Sequence, residues 1–270
     1  MTEQNDHLVA TAVAEGVATL TLDSPPNRNA LSATLVQQLM TALRAAQENP
    51  DVRAVVLAHT GTTFCAGADL GEALARGASV EEASAAGTEA MLMVLRTILE
   101  LPKPVIARID GHVRAGGLGL IGSCDMVFAG PSSTFALTES RLGLAPSVIS
   151  VVLLGKMTAR SSGRYYLTGE TFDAVTAERI GLITQAHGSS EELDDTLAVA
   201  LGGIRRAAPQ GLSASKELTT APIRAAFDRD AKRRATESAA LFGSDEAREG
   251  MTAFLSKRRP SWDLSERPAP

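Results

Sequence analysis

The chain has 270 residues, 44% hydrophobic and 21% charged, which suffices for one substantial core or for a core with a smaller appended element and excludes a small staple-dependent fold. Twenty-six lysines and arginines against 31 aspartates and glutamates give a formal charge of -5, which argues against a nucleic-acid coat but leaves room for a local basic pocket. Two cysteines, Cys65 and Cys124, make no disulfide framework or thiolate zinc site, and residues 1–16 lack the basic start and apolar run of a secretion signal; with no stretch long enough to cross a membrane, a soluble cytoplasmic protein is expected.

In chain order, "VATLTL" (17–22) alternates like a half-buried strand, and "DSPPNRNAL" breaks the pattern with two prolines and two asparagines. From Ser32 the period changes: Leu35, Leu39 and Leu43 predict an amphipathic helix that "ENPD" ends. A second strand, "AVVLAH" (54–59), runs toward the glycine-containing stretch "FCAGADL". "SVEE" (79–82) predicts a capping box on Ser79 and Glu82, and the helix behind it carries Met91, Val94, Leu95 and Ile98 toward the core until "LPKP". Strand "VIARI" (105–109), a glycine-rich turn and a short strand near "MVFAG" (126–130) follow. This order predicts an α/β layer. Beyond about residue 190, four pieces read as successive helices, "EELDDTLAVALGGIRR", "GLSASKELTT", "IRAAFDRDAKRRATESAALF" and "SDEAREGMTAFLSK", the last capped by Ser244. Only "RPSWDLSERPAP" reads as a loose tail.

Two glycine-rich turns share one grammar. "HTGTTFCAGADL" and "RIDGHVRAGGLGLIGSCD" each follow a strand, and in the second Gly116, Gly117 and Gly119 open a helix. Unpaired amides at a helix start can point at an anion or at a carbonyl oxygen becoming one, so one N–H from each turn would make an oxyanion hole. The competing reading is two tight strand-to-helix turns. There is no G-x-G-x-x-G fingerprint, phosphate loop, G-x-S-x-G elbow or H-E-x-x-H pair, so no dinucleotide, nucleophilic serine or metal is implied. Glu139, between a short strand and a turn, could have its pKa moved toward neutrality by an apolar cleft and transfer protons; the alternative is a surface or capping acid. Cys65 and Cys124 read as buried small residues because neither has an identifiable base. "SKRRP" (256–260) reads as a solvated helix end or a phosphate contact.

"NRNAL", "FCAGADL", "DGHVRAGGLGLIGSCD", "STFALTESRLGLAPSVIS", "LTGETFDAVTAERIGLI" and "FLSKRRPSW", in this order over about residues 10–260, resemble the crotonase superfamily of enoyl-CoA hydratases and isomerases. The resemblance implies an α/β fold, a spiral of repeated β-β-α units (1–195) with a helical C-terminal oligomerisation region (196–270), assembled as a homotrimer or a dimer of trimers. It implies an acyl-CoA substrate, coenzyme A entering as part of the thioester, and no permanently bound cofactor, nucleic acid or membrane partner. The thioester oxygen would be held by the backbone N–H groups of Ala68 and Gly116. Ala66 would meet the adenine end, Asp69 and Leu70 would line the acyl entrance, and Arg28 and Lys257 would lie near the CoA phosphates, Lys257 across a subunit boundary.

Of the two glutamates that hydratases of this superfamily use, one matches Glu139, whereas Gly119 stands where the other is expected. The resemblance therefore implies hydration of a 2-enoyl-CoA by a single glutamate. The alternatives are double-bond isomerisation by one proton shuttle, hydration of 3-methylglutaconyl-CoA, and a non-catalytic acyl-CoA binding module.

Overall fold

A computed structural model describes residues 7–69 and 80–265. Leu70 and the capping residue Ser79 lie outside the described residues, as does the side chain of Glu82. The first sheet orders its six strands β1 (Val9–Ala14), β2 (Val17–Leu22), β3 (Ala54–His59), β5 (Val105–Ile109), β7 (Met126–Ala129) and β10 (Gln185–Ala186). Only the β1–β2 hairpin is antiparallel; the later neighbours run parallel. The second sheet orders β4 (Thr63–Cys65), β6 (His112–Arg114), β8 (Thr134–Ala136) and β9 (Phe172–Asp173). Each repeat places one strand in the first sheet, the next in the second, and then a helix: β3-β4 with α2 (Val80–Glu100), β5-β6 with α3 (Gly116–Ser123), and β7-β8 with α4 (Ser150–Leu153). This is the expected spiral of β-β-α units.

The strand period of two divides the burial. Val55 and Leu57 face the main core with α1 (Ala33–Glu48) and α2, while Ala54 and Val56 face α7 (Ser190–Arg205) on the other side. On α7, Leu193, Leu197 and Leu201 recur every fourth residue and cover that second face. Leu35, Leu39 and Leu43 of α1 are fully buried, each stabilising by about 1.5–3 kcal/mol, and Ser32 caps the helix by accepting from the Leu35 amide.

The remaining helices are α5 (Ala159–Thr168), α6 (Ala174–Arg179), α8 (Pro209–Phe242) and α9 (Asp245–Leu255). Two separate helices were expected where α8 runs unbroken through Pro222. The carbonyl that loses its amide donor belongs to Leu218, a residue 79% exposed on the outer side of the helix, where a missing backbone bond costs less than in the core. Residues 195 and 196 lie within α7, and Ile223 and Phe227 of α8 join the main core. Ser244 caps α9 as expected, accepting from Ala247.

Candidate active site

Three parallel strands of the small sheet stand side by side, with Cys65 opposite Val113, Val113 opposite Phe135 and Arg114 opposite Ala136. Counted onward from the register Cys65–Val113–Phe135, Ala68 lies three residues on, Gly116 three and Glu139 four. With neighbouring strands about 5 Å apart, all three segments leave the same sheet edge, the carboxyl end of parallel strands where α/β folds form their sites.

The backbone explains why these amides are available. Ala68 forms an isolated parallel bridge with Leu31, and in such a bridge the flanking residues carry the bonds: Leu31 N donates to Gly67 O at 2.7 Å and Asp69 N to Leu31 O at 3.4 Å. The N–H of Ala68 therefore points away from Leu31 and meets no acceptor among the described residues. Gly116 is the first residue of α3, where an amide has no intrahelical acceptor, and it too donates to none among the described residues. Its orientation is set by Ala115, whose φ of 45° and ψ of -120° is a conformation that L-residues avoid at a cost of about 1–3 kcal/mol.

The two turns touch. A Cβ on Gly67, itself at φ +96°, would fall 2.6 Å from Ala115 Cβ and 3.4 Å from Gly116 N. A Cβ on Gly116 would meet Met91 Cε at 2.5 Å and Leu31 Cδ1 at 3.0 Å, so Met91, expected to fill the core, also packs against the turn. The glycines here are what close approach of two backbones requires.

Glu139 opens a 3-10 turn (Glu139–Leu142), and its Oε2 is buried without a hydrogen-bond partner. Burial pushes its pKa up to about 7, with a backbone hydrogen bond opposing. A carboxyl held there can both take and give a proton near neutral pH, which a surface or capping acid does not need.

Gly119 is buried within α3, and a Cβ on it would lie 2.6 Å from Ile149 Cγ2, with Ile149 Cβ and Leu95 Cδ2 each at 3.3 Å. The space beside Gly119 is therefore apolar and filled, and a glutamate there would collide with Ile149.

The loop before the first turn is pinned by Asn29, fully buried at φ 52°. Its Nδ2 donates to Thr60 O and Thr63 O, and its Oδ1 accepts from Ser24 N. Arg28 is exposed on this loop and its carbonyl accepts from Ala66 N, while Asn27 Nδ2 donates to Asp69 at 2.6 Å. Arg28, Ala66, Ala68, Asp69 and Gly116 thus belong to one surface. Lys257 is exposed just past α9, and no hydrogen bond or ion pair among the described residues joins it to that surface. Cys65 and Cys124 are buried, and burial pushes both thiols up to about 12, so they are packing residues. Among the described residues no three His, Cys, Asp or Glu side chains group to hold a metal, and no helix is long and apolar enough to cross a membrane.

Sequence reasoning missed Asn29, Ala115, Ile149 and Tyr166, the last with a buried, unpartnered phenol oxygen on the helix packed against the Glu139 turn. Asn29 carried a local signal, since asparagine after a proline-rich turn tolerates left-handed backbone. Alanine at 115 and isoleucine at 149 carried none.

A sequence model described as "Enoyl-CoA hydratase/isomerase" matches residues 12–265. The crystal structure of an enoyl-CoA hydratase from Mycobacterium avium is 54% identical, with a TM-score of 0.88 over 95% of this chain and 99% of that one. The 2,3-dehydroadipyl-CoA hydratase of Escherichia coli K12 is 28% identical over 91% of this chain and 94% of its own. The peroxisomal Delta(3,5)-Delta(2,4)-dienoyl-CoA isomerase of Arabidopsis thaliana is 26% identical over 89% and 90%.

Proposed function

The chain belongs to the enoyl-CoA hydratase/isomerase family, and from that premise we propose that it adds water reversibly to a 2-enoyl-CoA thioester with Glu139 as its one acid and base. The observation that carries this reading is a buried carboxyl near neutral pKa leaving the same sheet edge as two unengaged amides. The N–H groups of Ala68 and Gly116 would receive the thioester oxygen and stabilise the charge that builds on it as the enolate forms. Glu139 as carboxylate takes a proton from water while the hydroxyl bonds to the β-carbon; as the acid it returns that proton to the α-carbon. The thioester gains one water and the enzyme is unchanged.

The Ile149 and Leu95 wall at Gly119 favours a second reading, double-bond isomerisation. That reaction needs no second polar group, only one acid moving a proton between the α- and γ-carbons. Both readings use the same substrate contacts: Arg28 and Ala66 toward CoA and Asp69 and Leu70 at the acyl entrance from one subunit, and Lys257 toward CoA from a neighbour in a trimer or dimer of trimers. Phe254 and Leu255, each 62% exposed in the single chain beside Lys257, support burial between subunits.

Incubation with 2-enoyl-, 3-enoyl- and 3-methylglutaconyl-CoA in oxygen-18 water tests both. Heavy oxygen in a 3-hydroxyacyl product means hydration, and a moved double bond without it means isomerisation. No turnover of any thioester would leave acyl-CoA binding alone.

A further inference from the structure

Among the described residues, four buried side-chain polar atoms have no hydrogen-bond partner: Glu139 Oε2, Ser162 Oγ, Tyr166 OH and His187 Nε2. Such orphans are rare because each costs about 1–3 kcal/mol, so their placement carries information. Three of the four fall on one pair of packed elements. Ser162 and Tyr166 stand one turn apart on α5, hence on the same helix face. That helix lies against the 3-10 turn begun by Glu139: Arg141 Nε donates to Thr168 O at 3.0 Å and Ser140 Oγ to Leu167 O at 3.5 Å.

We propose that Tyr166 is the positioning residue of the acid, its phenol O–H donating toward Glu139 Oε2 through a small side-chain turn or one bridging water. This rests on the reading of Glu139 as the proton-moving group. The donor is fit for the role across the neutral range, because burial and then the charge of Glu139 hold the phenol above its ordinary pKa, with Arg234 pulling the other way. Most other charges on elements around this turn are matched: Arg164 of α5 binds Glu170, Arg234 of α8 binds Glu237, and Glu249 and Asp245 of α9 bind Arg258 and Arg248, whereas Arg160 of α5 and Glu246 of α9 form no ion pair among the described residues. Arg141, on the turn itself, spends its Nε on Thr168 O. Ser162 and Tyr166 are thus both unpartnered hydroxyls on one face of α5, and the longer Tyr166 side chain is the one whose ionisation feels the charge of Glu139. A donor to the ionised carboxylate stabilises that form, so it counteracts burial and fixes which oxygen faces the substrate.

The test is a carboxyl titration of the free, full-length protein by infrared or carbon-13 NMR, with Glu139→Gln identifying the signal. Tyr166→Phe keeps the ring and removes the donor. It is expected to raise the Glu139 pKa by roughly one to two units, the size of a hydrogen bond to a charged group. The acid limb of kcat/KM should move with it while KM changes less than kcat. Tyr165→Phe, on the neighbouring ring that packs against Phe172, should leave the titration in place. A Tyr166→Phe titration superposable on the wild type, or an equal shift in Tyr165→Phe, overturns the proposal. Because the titration needs no substrate, a shift in Tyr166→Phe with no turnover of any enoyl-CoA would retain the link and overturn only the hydration reading.

Discussion

Lys216 and Glu139 are both buried ionisable groups, and the chain treats them in opposite ways. Lys216 Nζ reaches Asp125 at 2.8 Å, Ile98 O at 2.8 Å and Lys103 O at 3.1 Å, so each of its three protons has a partner. It ties α8 to the end of α2 and to the start of β7. Burial still lowers its pKa, with Asp125 opposing, but no donor is left over. Glu139 keeps one oxygen without a partner at the edge of three strands. A buried charge that is fully satisfied holds architecture together, whereas one left partly unsatisfied retains free energy that a substrate can use.

The largest effect expected from breaking this contrast is on turnover. Glu139→Gln removes the titrating group at almost constant volume and should lower kcat/KM by about 10²–10⁴, read with whichever enoyl-CoA the wild type accepts. Retention of the full rate would remove Glu139 from the mechanism. Next, Lys216→Met should destabilise the fold by about 3–5 kcal/mol, because the Asp125 carboxylate loses its buried counter-ion. The urea midpoint measures this, and kcat/KM per folded molecule should stay near wild type.

The same Glu139→Gln variant should also be the more stable protein at alkaline pH. A carboxyl whose folded pKa is raised binds more protons folded than unfolded between its ordinary value and about 7, so stability falls as pH rises through that window. Wild type should thus lose roughly 1–3 kcal/mol relative to the variant between pH 4 and pH 8, by parallel denaturant titrations. The smallest effect sharpens the account of Gly119. Gly119→Ala should destabilise by about 1 kcal/mol, overpacking against Ile149 outweighing the helix-propensity gain, and should stabilise by about 1 kcal/mol in an Ile149→Ala background. A double-mutant cycle without that change of sign would mean that Ile149 yields easily.

What the sequence by itself determined is whatever is written in local period and punctuation. Residues 17–22, 54–59 and 105–109 alternate or run apolar and are strands β2, β3 and β5 to the residue, the change of period at Ser32 falls at the start of α1, and Ser244 caps the helix it was expected to cap. Repeated glycines between strand and helix marked two turns, and Glu139 was readable either as a proton carrier or as a surface or capping acid until its burial decided between them. The three-residue strands β4 and β6 were not legible, because so short a segment is held by its neighbours rather than by its own pattern. Nor was the continuity of α8 through Pro222. Tertiary structure alone decided the site's character. Ala115 takes a backbone conformation its side chain disfavours at the point where Gly67 lies against it, and Ile149 fills the space at Gly119 from thirty residues away. The helix that carries Tyr166 is brought against the turn that carries Glu139 only by tertiary contacts. Each is a relation between residues distant in the chain, and distance through space is not encoded in local period.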